Sequence, residues 1–171
     1  MRRLLRYLPI PLFIASATWS HAHAEQFNVT IDMRAKGGST FYVPGRIAGL
    51  GAVDLMVDTG SGYMTINEDM LATLQHSGQA RFVRQLRGRL ANGSVLDVPV
   101  YAIGAVSIGD RCWLRDVEAA VFPGSTRPIL GLNVLQRAAP FIFSFEPPQL
   151  VLSQCAATNA ADGAELAVLD E

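Results

Sequence analysis

The stretch VDLMVDTGSGYMTI, residues Val53 to Ile66, sets a carboxylate, Asp58, at the end of a β-type apolar run and follows it with Thr59, Gly60 and Ser61. Such a carboxylate can activate water if a second carboxyl lies within about 3 Å, because the two then share one proton and act as base and acid together. Asp54 cannot be that second group. Four residues along a strand, at about 3.3 Å each, put it about 13 Å away, so its simplest reading is a solvated strand residue. Asp-Thr-Gly occurs once in the chain, and a mate for Asp58 therefore has to come from a second copy across a two-fold axis. The plainer alternative is a turn without chemistry, since Asp hydrogen-bonds nearby backbone and Gly tolerates positive φ.

Other chemistries find few residues to work with. Residues 1–24 read as a secretory signal peptide: Arg2, Arg3 and Arg6 at the start, an apolar run from Leu8 to Ala17 interrupted by prolines, then Ala22-His23-Ala24 as the cleavage site. The apolar run is short for a membrane span and no cysteine follows to carry a lipid, so the expectation is an exported, periplasmic chain without stable membrane insertion; an uncleaved anchor is the other reading. Beyond the signal His76 is the only histidine, which leaves little for a Ser-His-Asp, Cys-His or metal site. Removing three arginines from fourteen basic residues leaves eleven against fifteen acidic ones, a poor surface for nucleic acid. Cys112 and Cys155 lack metal-ligand spacing, and in an exported chain they are either bridged or two buried thiols.

The elements that would hold Asp58 follow from periodicity and punctuation. Phe27 to Met33 alternates like a half-buried strand until Lys36-Gly37-Gly38-Ser39 breaks it. Phe41 to Ile47 and Val53 to Val57 flank Gly49-Leu50-Gly51 as a hairpin leading into Asp58. Tyr63 to Ile66 continues as strand, and Asn67 caps a helix from Glu68 to about His76, with Gly78 beyond its end. Arg81 to Leu90 and Val95 to Ile103 face each other across Asn92-Gly93, a strong hairpin signal, and Val106 to Ile108 pairs with Cys112 to Val121 across Gly109-Asp110. Ile129-Leu130 leads through Gly131 into a short helix from Leu132 to Arg137, ended by Pro140. A last hairpin joins Phe141 to Phe145 with Leu150 to Ser153, and Trp113, Phe141, Phe143 and Phe145 read as core. The pattern is mainly β, closed or strongly folded, with two brief helices.

Taken in order, Asp58-Thr59-Gly60-Ser61 after an apolar strand, the Asn92-Gly93 hairpin and Ile129-Leu130-Gly131 before a short helix resemble the retroviral-type aspartic proteases, in particular their exported bacterial members. The resemblance spans roughly Phe41 to Ser153. It implies a retropepsin-like single-lobe barrel, active as a symmetric homodimer, that cleaves polypeptides without a metal or other cofactor. It further implies that Asp58 is the catalytic carboxylate and that Thr59 bonds across the dimer axis. Gly60 would let the two loops approach, Ser61 would donate to the outer carboxylate oxygen, and Leu90, Ala91, Asn92, Gly93 and Ser94 would form a substrate-covering flap. Ile129, Leu130 and Gly131 would pack behind the loop. The flap tip has no aromatic residue and few glycines, a departure from the viral members. The expected organisation is a signal over 1–24, a protease domain over 25–155 and a disordered, polar tail over 156–171. A peptide-binding or sensor module with little turnover would carry the same residues.

Overall fold

In the computed structural model, which describes residues 27–89 and 93–155, the first alternating run becomes a strand with its odd positions inward. β1 (Val29–Asp32) buries Val29 and Ile31 and exposes Thr30 and Asp32, the two-residue period of a half-buried strand. Phe27 does not share that face: it precedes the first paired residue, Val29, and is 42% exposed. After Met33 the chain enters a second sheet as β2 (Arg34–Lys36). The segments 1–26, 90–92 and 156–171 lie outside the described residues, and with them the expected signal, the tail and the flap residues Leu90, Ala91 and Asn92.

The hairpin before Asp58 consists of β3 (Thr40–Ile47) and β4 (Gly51–Val57), paired from Tyr42 opposite Met56 to Ile47 opposite Gly51. β5 (Met64–Asn67) leads directly into α1 (Glu68–His76). The Asn67 carboxamide oxygen accepts the Met70 N–H at 2.8 Å, while Glu68 and Asp69 sit in the first turn, where the helix dipole favours acids. β6 (Ala80–Arg89) and β7 (Val95–Ile108) follow as an antiparallel pair, then β8 (Cys112–Phe122). One expectation fails here: Val95 to Ile103 and Val106 to Ile108 are not two strands but one. Gly104 does not interrupt it, because its N–H is taken up by the Gln79 carbonyl at 2.9 Å. The chain ends in β9 (Ile129–Leu130), α2 (Leu132–Leu135) with a 3-10 turn over Gln136–Ala138, β10 (Phe141–Phe145) and β11 (Pro148–Leu152).

Two sheets result, one in the order β2-β3-β4-β9-β5-β8-β7-β6 and the other β1-β11-β10. The larger sheet closes on itself because β3 also pairs with β7, from Gly45 opposite Ile108 to Ile47 opposite Val106. Gly45 makes this closure possible: a Cβ there would stand 2.4 Å from the Ser107 carbonyl oxygen. Inside the barrel Ile47, Leu55, Met64, Ile66, Ile103, Ile108 and Leu130 are fully buried, and Leu150 and Leu152 of the smaller sheet join the same core. Each such side chain contributes about 1.5–3 kcal/mol of transfer free energy. Cys112 and Cys155 are joined by a disulfide, which resolves the two readings in favour of the bridge and anchors the end of the smaller sheet to the start of β8. Closing a loop of 43 residues removes about 4 kcal/mol of chain entropy from the unfolded state. The aromatic series is only partly core. Phe141 and Phe143 are half-buried, and Trp113 packs on Ala48 and Ala105. Phe145, at the end of an edge strand, is 67% exposed.

Candidate active site

The loop from Asp58 to Tyr63 connects two strands that are not neighbours. β9 lies between them, parallel to β4 (Met56 opposite Ile129, Val57 opposite Leu130) and antiparallel to β5 (Thr65 opposite Ile129). The loop therefore arches over the end of β9, and β9 and the start of α2 hold it from beneath. Asp58 N–H donates to the Leu130 carbonyl at 3.2 Å, Leu132 N–H to the Ser61 carbonyl at 2.8 Å, and Asn133 N–H to the Gly62 carbonyl at 3.2 Å. The approach is so close that a Cβ on Gly131 would lie 2.2 Å from the Tyr63 carbonyl oxygen. Ile129, Leu130 and Gly131 thus stand behind the loop.

Asp58 itself is half-buried at the mouth of β4, and its Oδ1 accepts the Gly60 N–H at 2.8 Å. Ser61 N–H donates to the Asp58 carbonyl at 3.2 Å, which closes the turn. Thr59 and Gly60 are exposed at the loop tip. The Ser61 hydroxyl departs from expectation: it donates to the Tyr63 carbonyl, two residues on in the same loop, at 3.1 Å rather than to the Asp58 carboxylate. Asp54 lies outside the site, as its strand position requires, yet it is not merely solvated. Its carboxylate pairs with Arg34 and, at 2.8 Å, with Lys36 on β2. The hydrogen bond from Lys36, opposed by partial burial and aided by the two positive charges, holds this carboxyl below its ordinary range.

A cleft of about 420 Å³ opens beside Asp58. Among the described residues lining it, Asp58 is the only carboxylate; Leu86, Val98, Phe122 and Ile129 supply apolar wall and Tyr63 an aromatic one. Leu86 and Gly88 belong to β6, so the arms of the expected flap hairpin border the cleft, and Gly93 and Ser94 are exposed before the second arm. His76, at the exposed end of α1, does not line it. Among the described residues no group of three or more His, Cys, Asp or Glu is placed to hold a metal ion.

Sequence reasoning missed two polar devices around this cleft. Asn133, just inside α2, accepts the Met64 N–H at 2.7 Å and donates to the Glu118 carbonyl at 2.7 Å, clasping β5 to β8. Arg84 of β6 donates to both Glu118 carboxylate oxygens, at 2.8 and 2.6 Å, and to the Tyr63 hydroxyl at 2.9 Å. The hydrogen bonds from Arg84 keep the Glu118 carboxyl below its ordinary range, and those to Glu118 and Tyr63 raise the Arg84 guanidinium further. An Asn shortly after an apolar-apolar-Gly triplet was the one available signal for the first device; the second had none.

A protein-family model described as "gag-polyprotein putative aspartyl protease" matches residues 43–137, a span that includes the Asp58 loop, both arms of the β6–β7 hairpin and Ile129 to Gly131. Among solved structures, the chain is similar to a retropepsin-like aspartic protease from Rickettsia conorii, with a TM-score of 0.51 and 17% identity over 72% of this chain and 88% of that one. The retroviral protease-like domain of Ddi1 from Leishmania major aligns with a TM-score of 0.41 and 14% identity, over 71% of this chain and 91% of the domain. No curated protein matches the chain. The likeness to the Rickettsia structure is one of fold: a mainly β, single-lobe barrel with two short helices.

Proposed function

Because the chain belongs to the gag-polyprotein aspartyl protease family and has a retropepsin-like fold, we propose that it is an aspartic endopeptidase whose water is activated by Asp58 from each of two copies. The observation that carries this reading is Asp58, the one carboxylate among the described residues lining the cleft, held by the Gly60 N–H and by a loop bonded to β9 and α2. With a second Asp58 facing it, one carboxyl is ionised and the other protonated. The ionised group takes a proton from water as the oxygen attacks the peptide carbonyl carbon; the protonated group gives its proton to the carbonyl oxygen. Collapse of the resulting diol moves a proton to the amine nitrogen and breaks the C–N bond. Thr59 and Gly60, exposed at the loop tip, are then the residues nearest the two-fold axis, and the β6–β7 hairpin closes over the peptide.

An edge for such a dimer is available. Among the described residues β10 has a neighbour on one side only, β11, and Ile142 and Phe145 are exposed. Phe41, next to the Tyr42 that pairs with Met56 just before Asp58, stacks edge-on against Phe143 at 5.4 Å and Phe145 at 5.6 Å. Through Phe41, β10 is tied to the strand that flanks the Asp58 loop, which supports its free edge as the place where two copies meet. Replacing Asp58 by Asn tests the assignment: cleavage of an unfolded protein or peptide at mildly acidic pH should vanish, and retained cleavage in a protease-free preparation would remove Asp58 from the mechanism.

The Cys112–Cys155 bridge supports the further proposal that the protein works outside the cytoplasm, since such bonds persist in oxidising compartments. Residues 1–24 would be removed on export, leaving a domain over 25–155 and the tail. An N-terminus at Glu25, read by mass spectrometry of the exported protein, is the expected result; an intact leader in the membrane fraction would replace it with the anchored form. Among the described residues no helix is long and apolar enough to cross a membrane.

A further inference from the structure

We propose that Arg84 is a positioning residue of the cleft, a strut that locks the Tyr63 wall and the outer arm of the flap hairpin to the barrel through Glu118. The inference rests on the protease reading above and extends it from the reacting carboxyls to what holds the substrate walls in register.

Three segments far apart in sequence meet at one guanidinium. Tyr63 ends the Asp58 loop, Arg84 lies on β6 and Glu118 on β8, with β7 between β6 and β8 in the sheet. Arg84 grips both carboxylate oxygens with its two terminal nitrogens, and one of these also reaches the Tyr63 hydroxyl. The guanidinium carbon stands 5.7 Å from the Tyr63 ring centroid, so the ring is held by its face as well as by its oxygen. A planar fork between two charged groups specifies direction as well as strength, which a lysine could not reproduce.

The location gives the contact its consequence. β6 is one of the two end strands of the large sheet, and among the described residues only β7 pairs with it. Its pairing with β7 is irregular between Phe82 and Arg84, and such a bulge re-aims the next side chain. Arg84 is thereby directed across the sheet to β8. Leu86 and Gly88, two and four residues further along the same strand, line the cleft. Without the strut, the arm carrying these residues would be held only to its neighbour β7, by a ladder irregular at its root and by the exposed Arg87–Asp97 ion pair.

Glu118 is itself fixed from behind. The Asn133 carboxamide donates to the Glu118 carbonyl, and the Asn133 N–H donates to the Gly62 carbonyl of the Asp58 loop. A continuous set of hydrogen bonds thus runs from that loop through Asn133, Glu118 and Arg84 to the flap arm. Tyr63 stands at both ends, since it closes the loop and accepts Arg84 as its partner.

The test combines kinetics with amide hydrogen exchange on the full-length protein. Arg84→Met keeps the apolar stem and removes every donor. KM for a peptide substrate should rise about tenfold or more, since three hydrogen bonds of Arg84 are lost together, while kcat stays within about twofold. Exchange at residues 85–89 should quicken about tenfold, with the core of β3 and β4 unchanged. Arg84→Lys should recover only part of either effect. Tyr63→Phe, which removes a single hydroxyl, should move both readouts in the same direction by less, and should add nothing in the Arg84→Met background. Unchanged exchange at 85–89 in Arg84→Met overturns the strut. So does quickened exchange spread uniformly over the molecule in both single variants, or a Tyr63→Phe effect that persists in full beside Arg84→Met. Failure of the protease reading would look different: wild type itself would not cleave, while the exchange comparison would still decide the strut.

Discussion

Asp58 combines two demands that usually conflict, a fixed carboxylate and an accessible one. One oxygen is committed to the Gly60 N–H, and the residue lines the cleft. Asparagine can keep the first arrangement, because its carboxamide oxygen also accepts an N–H, but it cannot hold or release the proton the reaction needs. Asp58→Asn should therefore unfold within about 2 °C of wild type, as expected when no buried contact is lost, and yet show no cleavage above background. A large loss of thermal stability would mean that the residue serves the loop rather than the chemistry. At this scale the sequence is legible wherever a residue type has one dominant use. Asp58 stood out by its setting, and Gly131 by following two apolar residues before a helix; the reason for that glycine is the Tyr63 carbonyl that leaves no room for a Cβ. Arg84 and Glu118 were not legible, and Asn133 only by its place after Ile129-Leu130-Gly131. An Arg or Glu on an alternating strand reads as solvated surface, and only the bulge before Arg84 and the order of strands bring these groups together.

Among the elements, the shortest one does most for the site. β9 has two residues, too few to show any periodicity, and it was visible only as the step into Gly131. Its insertion between β4 and β5 is a tertiary fact, as is the union of the two expected strands into β7, where the Gln79 carbonyl supports Gly104 from outside. Longer elements with capping residues or hairpin turns, such as α1 and the β3–β4 pair, were legible because local chemistry and tertiary packing agree. The β2–β4 edge illustrates a contact that affects stability without touching the reaction. Asp54, held below the ordinary carboxyl range by Lys36 and Arg34, adds stability that is complete above the unfolded carboxyl's titration and is lost as pH falls through the lower folded value. Asp54→Asn should therefore lower the melting temperature at neutral pH and converge on wild type in acid, which flattens part of the acid-side fall. The effect should be small and should shrink further in high salt, because the partners are a third or more exposed. Melting curves over a pH series at two salt concentrations check this, and an equal loss at every pH would assign Asp54 a packing role instead.

At the scale of the whole molecule, the chain folds as one barrel but holds half of the proposed chemistry. The described barrel, its disulfide and its core are built from one copy, whereas the shared proton of the proposed mechanism needs a second. This separation makes assembly measurable through activity. Cleavage per chain should fall on dilution in proportion to the fraction of chain in dimers, while the far-ultraviolet circular dichroism stays constant. Placing a charge on the exposed edge of β10, as Ile142→Lys or Phe145→Lys, should shift that fall to higher protein concentration, since two like charges would meet across the axis. Mixing wild type with an equal amount of Asp58→Asn is the sharper experiment. If the two associate at random, about a quarter of the dimers carry two carboxylates, about half carry one, and the rest carry none. Activity should then drop to about a quarter of that of an all-wild-type sample at the same total concentration, whereas independent active chains would retain about a half. A value near a half, or an active monomer by sedimentation at the assay concentration, would mean that Asp58 finds its second carboxyl within its own chain or works without one. Among the described residues lining the cleft there is no such second carboxyl, so that outcome would overturn the two-copy site and leave the fold intact.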